Sequence, residues 1–270
     1  MCGQCRTASP HNARARGADL TGALAILAPM ELKNWGDPPV YDGDFLRVWN
    51  KSVSFLKDER FMRAYMAGMH TDHRQGRHAG FPTDLHIEWR LHVCGWAAWH
   101  AKQLSGDFVE CGVNAGIMSV AICNYLDFNT VGKRFFLFDT FAGIPDEQIL
   151  PEEIHARDQN TVYRDVYETA KRNFAPWPNA ILVRGKIPDV LRAQPIEKVC
   201  YLMLDLNILV PEKAALEFFW DKMVSGGVVL FDDYGWTGYD AQRKAHDAFA
   251  ESKGAKILDL PTGQGMLIKP

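Results

Sequence analysis

From Gly106 to the carboxyl terminus, apolar runs of strand length alternate with stretches that can lay apolar residues along one helical face. This alternation predicts a parallel sheet covered by helices on both faces, because successive parallel strands need a crossover between them. We expect strands at residues 108–113, 134–140, 180–186, 199–205, 227–233, 256–260 and 266–269. Helices are expected between them, at residues 115–126, 162–174, 211–223 and 240–252. The chain is therefore predicted to be of the α/β class.

The last two predicted strands break this alternation. Only residues 261–265 separate them, which is too short for a crossover helix, so they are expected to form an antiparallel hairpin. Five parallel strands followed by a reversed hairpin give a doubly wound, Rossmann-like sheet. This arrangement resembles the topology of class I methyltransferases, although a resemblance of fold does not by itself establish an activity.

The segment before Gly106 has a weaker pattern. Helical character is expected at residues 44–56, 58–69 and 85–103, and the stretch before the third helix is polar and rich in His and Gly. The expected divisions are a loosely ordered tail at 1–35, a helical cap against the carboxyl edge of the sheet at 36–105, and a cofactor-binding domain at 106–270.

The composition is that of an ordinary globular protein, with 47% hydrophobic residues and a formal net charge of only -3. Such a balance gives no general attraction to phosphate backbones or anionic lipid, so neither a nucleic acid nor a membrane surface is an expected partner. The six cysteines are too dispersed for a disulfide framework, and no apolar stretch reaches a membrane-spanning length. A reduced, cytoplasmic protein is expected.

The first predicted strand runs into "FVECGVNAGIMS", which places an acid and two glycines at a strand-to-helix turn. Ligands bind beyond the carboxyl ends of strands in open α/β sheets, where glycine lets the backbone approach them closely. The Gly-x-Gly-x-x-Gly run that holds a pyrophosphate is absent, which favours S-adenosylmethionine over a nicotinamide cofactor. The alternative is a tight turn whose glycines only permit packing. The candidate cofactor residues of this turn are Glu110, Gly112, Asn114, Gly116 and Ser119.

The second predicted strand ends in Asp139, followed by Thr140. An acid at this distance from the glycine turn, on the neighbouring strand, can accept both ribose hydroxyls of a nucleoside. Alternatively, Asp139 only caps the turn that follows it. Gly185, after the third strand, is expected to border the adenine.

Acidic residues follow the fourth and fifth predicted strands, which are neighbours in a doubly wound sheet. Asp205 and Asn207 follow the fourth strand, and Asp232 and Asp233 end the fifth. Three carboxylates converging at one edge would repel each other and be costly to desolvate unless a cation neutralised them. Oxygen ligands suit a hard ion, so a Mg²⁺ site is expected; the alternative is that one Asp caps a helix and the other is solvated.

Several segments together resemble the macrocin O-methyltransferase family, whose members methylate sugar hydroxyls in natural products. They are "FVECGVNAG", "FFLFDTFAGIPDE", "LDLN", "GGVVLFDDYG" and "LPTGQGMLIKP", and the resemblance spans residues 105–270. It implies an enzyme that uses S-adenosylmethionine and Mg²⁺, takes a small-molecule sugar or glycoside acceptor and forms a homo-oligomer. By this resemblance, Glu110, Gly112 and Gly116 line the cofactor and Asp139 holds its ribose. The metal ligands map onto Asp205, Asp232 and Asp233.

One position departs from the family pattern. Where Asn207 stands, the characterised sugar methyltransferases typically have an Asp that acts as general base. An amide does not usefully accept a proton, so Asn207 is expected to orient the substrate. Deprotonation is then expected to rely on polarisation by the metal or on another residue, with His70, His73 and His78 as candidates.

Two further features point to the acceptor side of the site. Trp236 and Tyr239 could stack on a sugar or ring, although core packing is the ordinary role of such residues. The charged stretch at residues 146–160 is either a lid over the site or a solvated surface loop.

Two rival functions remain open from the sequence. A nicotinamide-dependent oxidoreductase or epimerase has the same layered architecture, but the missing glycine fingerprint and the terminal hairpin argue against it. A methyltransferase-like protein that binds the cofactor without turnover is consistent with Asn207.

Overall fold

Nine strands and seven helices organise the part of the chain that the computed structural model describes, residues 38–73, 82–161 and 163–270. The strands are β1 (Tyr41–Gly43), β2 (Leu46–Val48), β3 (Asp107–Cys111), β4 (Phe135–Asp139), β5 (Ala180–Arg184), β6 (Val199–Leu204), β7 (Met223–Phe231), β8 (Leu258–Asp259) and β9 (Gly265–Ile268). The helices are α1 (Glu59–Met69), α2 (Glu88–Ala101), α3 (Ile117–Leu126), α4 (Ile154–Asn160), α5 (Tyr167–Phe174), α6 (Leu209–Trp220) and α7 (Asp240–Ser252).

The main sheet has seven strands in the order β5-β4-β3-β6-β7-β9-β8. The first five are parallel, whereas β9 runs antiparallel to β7 and β8 antiparallel to β9. This order confirms the predicted doubly wound sheet with a reversed terminal hairpin, which is the class I methyltransferase fold. All six residues of β6 are buried, as expected for a central parallel strand covered on both faces.

The two faces of the sheet bury different side chains, because successive strand residues point to opposite sides. Along β4, Phe135 and Leu137 belong to the core that lies under α1, α2 and α3. Phe136 and Phe138 belong to the core on the other face, together with Phe219 of α6. Helices on both faces therefore fix the sheet and leave its carboxyl edge to carry polar residues.

The prediction of a helix at residues 44–56 was wrong. This region instead forms the hairpin of β1 and β2, followed by a 3₁₀ turn at Ser54–Lys57. Asp44 and Phe45 form its two-residue loop, and both have positive φ, 52° and 59°. A type I′ hairpin loop requires positive φ at both positions, so the local turn overrides the helical spacing of apolar residues.

Two other elements differ from the predictions. The charged stretch at residues 146–160 contains a 3₁₀ turn at Asp146–Gln148 and the helix α4, so it is not a plain loop. The helix expected from residue 162 starts later, at Tyr167, where the Asp165 carboxylate accepts a hydrogen bond from the Tyr167 N–H, 3.0 Å away. Side-chain bonds of this kind mark where a helix begins.

The helices before the sheet pack onto it directly. α1 packs against α3, and α2 packs against α3, β6 and β7. Residues 38–270 accordingly form one compact unit. A separate role for residues 36–105 stays a prediction, and the tail predicted at residues 1–35 lies outside the described residues. Within the described ranges, no helix is long and apolar enough to span a membrane.

The loop of the β1–β2 hairpin stores backbone strain at Phe45, and this can be measured. The Phe45 side chain is 97% exposed, so little packing is lost when it is removed. We predict that Phe45→Gly stabilises the fold by about 0.5–1 kcal/mol, because relief of the left-handed strain outweighs the extra flexibility of glycine. Phe45→Ala is the control, since it removes the ring but keeps a Cβ at positive φ. Equal stabilities of the two variants in urea denaturation would contradict this prediction.

Candidate active site

The turn between β3 and α3 is shaped by a glycine that packs against the end of β6. Gly112 has φ of 92°, and a Cβ built on it would lie 1.8 Å from the carbonyl oxygen of Asp205. No side chain fits there, so glycine allows the two strand ends to touch. This close approach is to backbone of the neighbouring strand, and the expected contact of Gly112 with a cofactor stays a prediction.

Two other predicted glycines also have positive φ but contact protein side chains. Gly116, with φ of 101°, faces the ring of Phe174, and Gly185, with φ of 152°, faces Val190. Gly185 lines the central cavity described below, whereas Gly116 and the fully buried Ser119 do not. Of the residues predicted at this turn, Glu110, Gly112 and Asn114 line the cavity, whereas Gly116 and Ser119 do not.

Asp139 ties the ends of β3 and β4 together. Its Oδ2 atom accepts hydrogen bonds from the backbone N–H groups of Val113 and Asn114, at 2.6 and 2.7 Å. Its Oδ1 atom accepts a third from the N–H of Phe141, at 2.6 Å. The carboxylate lines the cavity while it holds these amides, so a ribose hydroxyl would be an additional partner. The adjacent Thr140 also lines the cavity and donates to the carbonyl oxygen of Gly143.

Glu110 and Asn114 present unused polar atoms at this turn. Glu110 is 1% exposed, and burial raises the pKa of its carboxyl group well above the ordinary value. Its Oε2 atom and the Oδ1 atom of Asn114 are buried and have no hydrogen-bond partner in the described part of the chain. Buried polar atoms without partners are uncommon, and both residues line the cavity, so they are available to a ligand.

Asp205, Asp232 and Asp233 form what we call the carboxylate cluster. Each offers an oxygen atom, and these atoms lie within 4.8 Å of one another. Burial raises the pKa of Asp205 and Asp233 well above the ordinary value, and the neighbouring carboxylates raise it further. The Oδ2 atom of Asp233 is buried and has no partner among the described residues. The three predicted carboxylates are thus brought together, where burial and mutual repulsion make it costly for all of them to be ionised.

Arg90, which the sequence analysis missed, reaches the carboxylate cluster from α2. Its Nη1 atom donates to Oδ2 of Asp232 at 2.8 Å, while Nε and Nη2 donate to the two oxygens of Asp44 at 2.8 and 3.0 Å. Gln264, before β9, donates to the other Asp232 oxygen at 2.9 Å. Asp232 therefore contacts α2 and the terminal hairpin directly, and it is linked to the β1–β2 hairpin through Arg90.

Asn207 lies beside the carboxylate cluster, with φ of 63°. Its Nδ2 atom is 3.4 Å from Oδ1 of Asp205, and its Oδ1 atom is 3.5 Å from the hydroxyl oxygen of Tyr239. His155 of α4 approaches the backbone carbonyl oxygen of Asn207, with Nε2 at 3.1 Å. Tyr239, His155 and Trp236 also line the cavity.

The histidines expected from the sequence lie elsewhere. His70 is exposed at the end of α1, and His73 is buried with its Nε2 atom 3.4 Å from the carbonyl oxygen of Pro82. Neither lines the cavity, and His78 lies outside the described residues. The charged segment at 146–160 instead supplies His155, which sequence spacing gave no reason to single out.

One cavity of about 560 Å³ connects these groups. At one end it is lined by Glu110, Gly112, Asn114, Asp139, Thr140 and Gly185, and at the other by Asp205, Asn207, Asp232 and Asp233. Its volume is in the range of small-molecule and cofactor sites. The glycine turn and the carboxylate cluster are thus two ends of the same cavity.

Residues 91–258 match the model of the macrocin O-methyltransferase (TylF) family, which covers more than half of the chain. The chain belongs to this family. Membership implies S-adenosylmethionine as the cofactor and agrees with the fold and with the cavity at the carboxyl ends of the strands. The family assignment also confirms the resemblance inferred from the sequence segments.

Among curated proteins, the chain is 27% identical over 157 residues to the 8-demethyl-8-(2,3-dimethoxy-alpha-L-rhamnosyl)-tetracenomycin-C 4'-O-methyltransferase of Streptomyces olivaceus. The match covers 54% of this chain and 59% of that protein, so it spans little more than half of the relative's length.

Solved structures support the same fold. The O-methyltransferase NovP has a TM-score of 0.62 at 18% identity, with 80% of this chain and 99% of NovP covered. The calicheamicin methyltransferase CalS11 has a TM-score of 0.54 at 17% identity, with coverages of 82% and 94%. At these identities the similarity establishes the fold alone.

The contact between Gly112 and Asp205 predicts that adding one methyl group at Gly112 lowers the stability of the fold strongly. Gly112→Ala should destabilise the fold by about 3–5 kcal/mol, because the Cβ clashes with backbone and the left-handed conformation is strained. Gly132→Ala is the matched control, since Gly132 has φ of 72° but nothing within 4 Å of an added Cβ. Gly132→Ala should lower the free energy of unfolding by only about 1–2 kcal/mol. Urea denaturation of both variants measures the difference, and similar losses would disprove the clash.

Proposed function

We propose that this protein transfers the methyl group of S-adenosylmethionine to a hydroxyl of a sugar, in a natural product or glycan, with the assistance of Mg²⁺. The supporting observation is the single cavity that joins the glycine turn to the carboxylate cluster. One end offers polar atoms to a nucleoside and the other offers anionic oxygens to a cation. Family membership supports the reaction class, and the cavity supports the placement of its parts.

The cofactor end uses residues of the first two parallel strands. When bound, S-adenosylmethionine supplies a methyl group on a cationic sulfur. Asp139 keeps the backbone of Val113 and Asn114 in place, and Gly185 lines the cavity on the neighbouring side. The unpartnered oxygens of Glu110 and Asn114 are then available to the amino acid or nucleoside portion of the cofactor. The role of these residues is to bind and orient the cofactor. Alignment of the attacking oxygen with the methyl carbon accounts for most of the rate enhancement that a methyl displacement needs.

The carboxylate cluster fits a hard divalent cation. Its donors are carboxylate oxygens only, and the Oδ2 atom of Asp233 has no partner among the described residues. Burial, with a further contribution from the neighbouring carboxylates, raises the pKa of Asp205 and Asp233. Asp205, Asp232 and Asp233 would hold the ion, as in oxygen-ligand sites for Mg²⁺. A cation there would polarise an acceptor hydroxyl and ease the loss of its proton.

The acceptor end is walled by aromatic and polar side chains. Trp236 and Tyr239 line it, and the Arg90 guanidinium lies 5.5 Å from the centre of the Trp236 ring. Aromatic faces next to hydrogen-bonding groups suit a sugar, which has both apolar C–H faces and hydroxyls. The curated relative is named as a methyltransferase of a rhamnosyl-bearing tetracenomycin, which supports the choice of a deoxysugar glycoside as the first acceptor to test. A homo-oligomer stays a prediction, which size-exclusion chromatography with light scattering can check.

Binding and turnover test the proposal separately. Calorimetry should show binding of S-adenosylhomocysteine and none of NAD. Mass spectrometry should then detect methylated product from rhamnosyl glycosides with S-adenosylmethionine and Mg²⁺, and loss of product when a chelator removes the metal. Binding of NAD alone would favour the oxidoreductase alternative. Cofactor binding without product from any glycoside would favour a protein that binds without turnover, which Asn207 keeps as the second candidate.

Removing one charge from the carboxylate cluster should stabilise the metal-free protein but abolish turnover. In Asp233→Asn, an amide replaces a carboxylate whose Oδ2 atom is buried without a partner, so the folded state should gain on the order of 1–3 kcal/mol. The affinity for S-adenosylhomocysteine should remain within about threefold, because the cofactor end is unchanged. Denaturation without metal, calorimetry and a methyl-transfer assay measure the three quantities.

Asp165→Asn serves as the control for that variant. Asp165 lies on the surface, where its carboxylate pairs with Arg184. Its substitution should leave turnover unchanged. If Asp233→Asn destabilised the metal-free protein or kept full activity, the carboxylate cluster would not be the charged site that we propose.

A further inference from the structure

The acidic side chains that line the cavity are committed to partners other than an acceptor hydroxyl. Arg90 donates to both oxygens of Asp44, and three backbone amides donate to Asp139. Glu110 lies at the cofactor end, near the carboxyl end of β3. The carboxylate cluster carries the charge that a cation would neutralise. With a cation on the carboxylate cluster and a cofactor beside Glu110, the unpartnered oxygens of Asp233 and Glu110 would also be occupied, so none of these groups would be left as a free proton acceptor.

The phenols at the cavity are also unsuitable as bases. Tyr163 and Tyr239 line it, and phenols are protonated near neutral pH. Burial raises the pKa of Tyr239 further, and the charge of Asp233 adds to the effect. Among the cavity-lining residues that the structure describes, His155 is the one imidazole, the side chain that most readily exchanges a proton near neutral pH.

The hydrogen bond of His155 defines which of its nitrogens is available. Its Nε2 atom lies 3.1 Å from the backbone carbonyl oxygen of Asn207. A carbonyl oxygen can only accept, so Nε2 carries a hydrogen and donates it. In the neutral ring, Nδ1 then has a lone pair and can accept a proton. The bond therefore selects the tautomer that a base requires.

His155 is held firmly next to the carboxylate cluster. Its ring packs on Tyr239, with centroids 4.0 Å apart, and Gln159 of the same helix donates to the Tyr239 hydroxyl at 3.1 Å. Asn207, which accepts the bond from His155, has its side chain 3.4 Å from Asp205. The imidazole is thus separated from the carboxylate cluster by a single residue.

The residue two positions before His155 is anchored to the start of α6. Glu153 is 2% exposed, and its carboxylate accepts from the N–H groups of Leu209 at 2.7 Å and Leu150 at 2.8 Å. The N–H of Leu209 is one of the helix-terminal donors that lack a partner within their own helix. Ala156 packs in a small apolar cluster with Ile149 and Ile208. These contacts fix the position of α4 relative to Asn207.

We propose that His155 is the general base of the methyl transfer, in the place that Asn207 cannot fill. The proposal rests on the function proposed above. The proton of the acceptor hydroxyl moves to Nδ1 of His155 as the oxygen forms a bond to the methyl carbon. The carbon–sulfur bond breaks with its electron pair going to sulfur, which leaves a methyl ether, S-adenosylhomocysteine and an imidazolium. The imidazolium then loses its proton to water.

Two substitutions separate proton transfer from positioning. His155→Gln can still donate a hydrogen bond to the Asn207 carbonyl oxygen, because its Nε2 can take the place of the imidazole Nε2, but an amide does not accept the proton. His155→Ala removes the ring and leaves room for a small base. We expect kcat to fall about 100- to 10,000-fold in both variants, with KM for acceptor and cofactor within about threefold. Added imidazole should restore activity in His155→Ala and not in His155→Gln.

Controls distinguish this proposal from the function on which it rests. Each variant should keep the wild-type affinity for S-adenosylhomocysteine by calorimetry, and His70→Ala, at an exposed position away from the cavity, should keep full activity. If His155→Gln retained most of the wild-type kcat, or imidazole failed to rescue His155→Ala, His155 would be a positioning residue and the proposal would be overturned. If the wild-type protein methylated no glycoside, the proposed function would fail, and the role of His155 with it.

Discussion

Three carboxylates gathered at one edge of a hydrophobic sheet are the constraint around which the site is built. The pairing of β6 with β7 aligns Leu204 with Phe231, so the next residues, Asp205 and Asp232, emerge side by side. Like charges brought together out of water are costly, and the protein reduces the cost with a guanidinium and an amide. Arg90 and Gln264 supply these groups from segments far away in the sequence. The carboxylate cluster is thus the point at which α2 and the terminal hairpin contact a shared bonding partner, Asp232.

The two ends of the cavity are mechanically connected through backbone. Gly112 of the cofactor turn lies against the carbonyl of Asp205, and Asp139 holds the following amides of that turn. A shift of the turn would therefore move a member of the carboxylate cluster. This connection gives a physical reason for a rigid distance between the two ends of the cavity, since neither end can relax without displacing the other.

The sequence predicts the parts of the structure that depend on regular spacing. Long apolar runs identify the strands of the main sheet, and the short link before β9 identifies the reversed hairpin. From those, the meeting of Asp205 with Asp232 and Asp233 follows, because the carboxyl ends of parallel strands share an edge.

The parts that depend on distant or irregular contacts are not predictable in this way. Arg90 contacts Asp232 across 142 positions of sequence, and no local pattern specifies that pair. The strands β1 and β2 have three residues each, too few to show a period, and their loop uses an uncommon positive φ at Phe45. His155 lies in a short helix within a charged stretch, where composition suggests only a surface loop. The packing of Gly116 against Phe174 is likewise not visible in its spacing, and its predicted ligand contact stays a prediction.

The reversed hairpin at the end of the chain does more than complete the sheet. Gln264 is fully buried, accepts from the Thr262 hydroxyl at 3.1 Å and donates to Asp232. The link between β8 and β9 is hence in direct contact with a carboxylate of the cluster. Because β9 is hydrogen-bonded to β7, local opening of this hairpin would also take the Gln264 amide away from Asp232, so the sheet pairing and the polar lining of the cavity would be lost together.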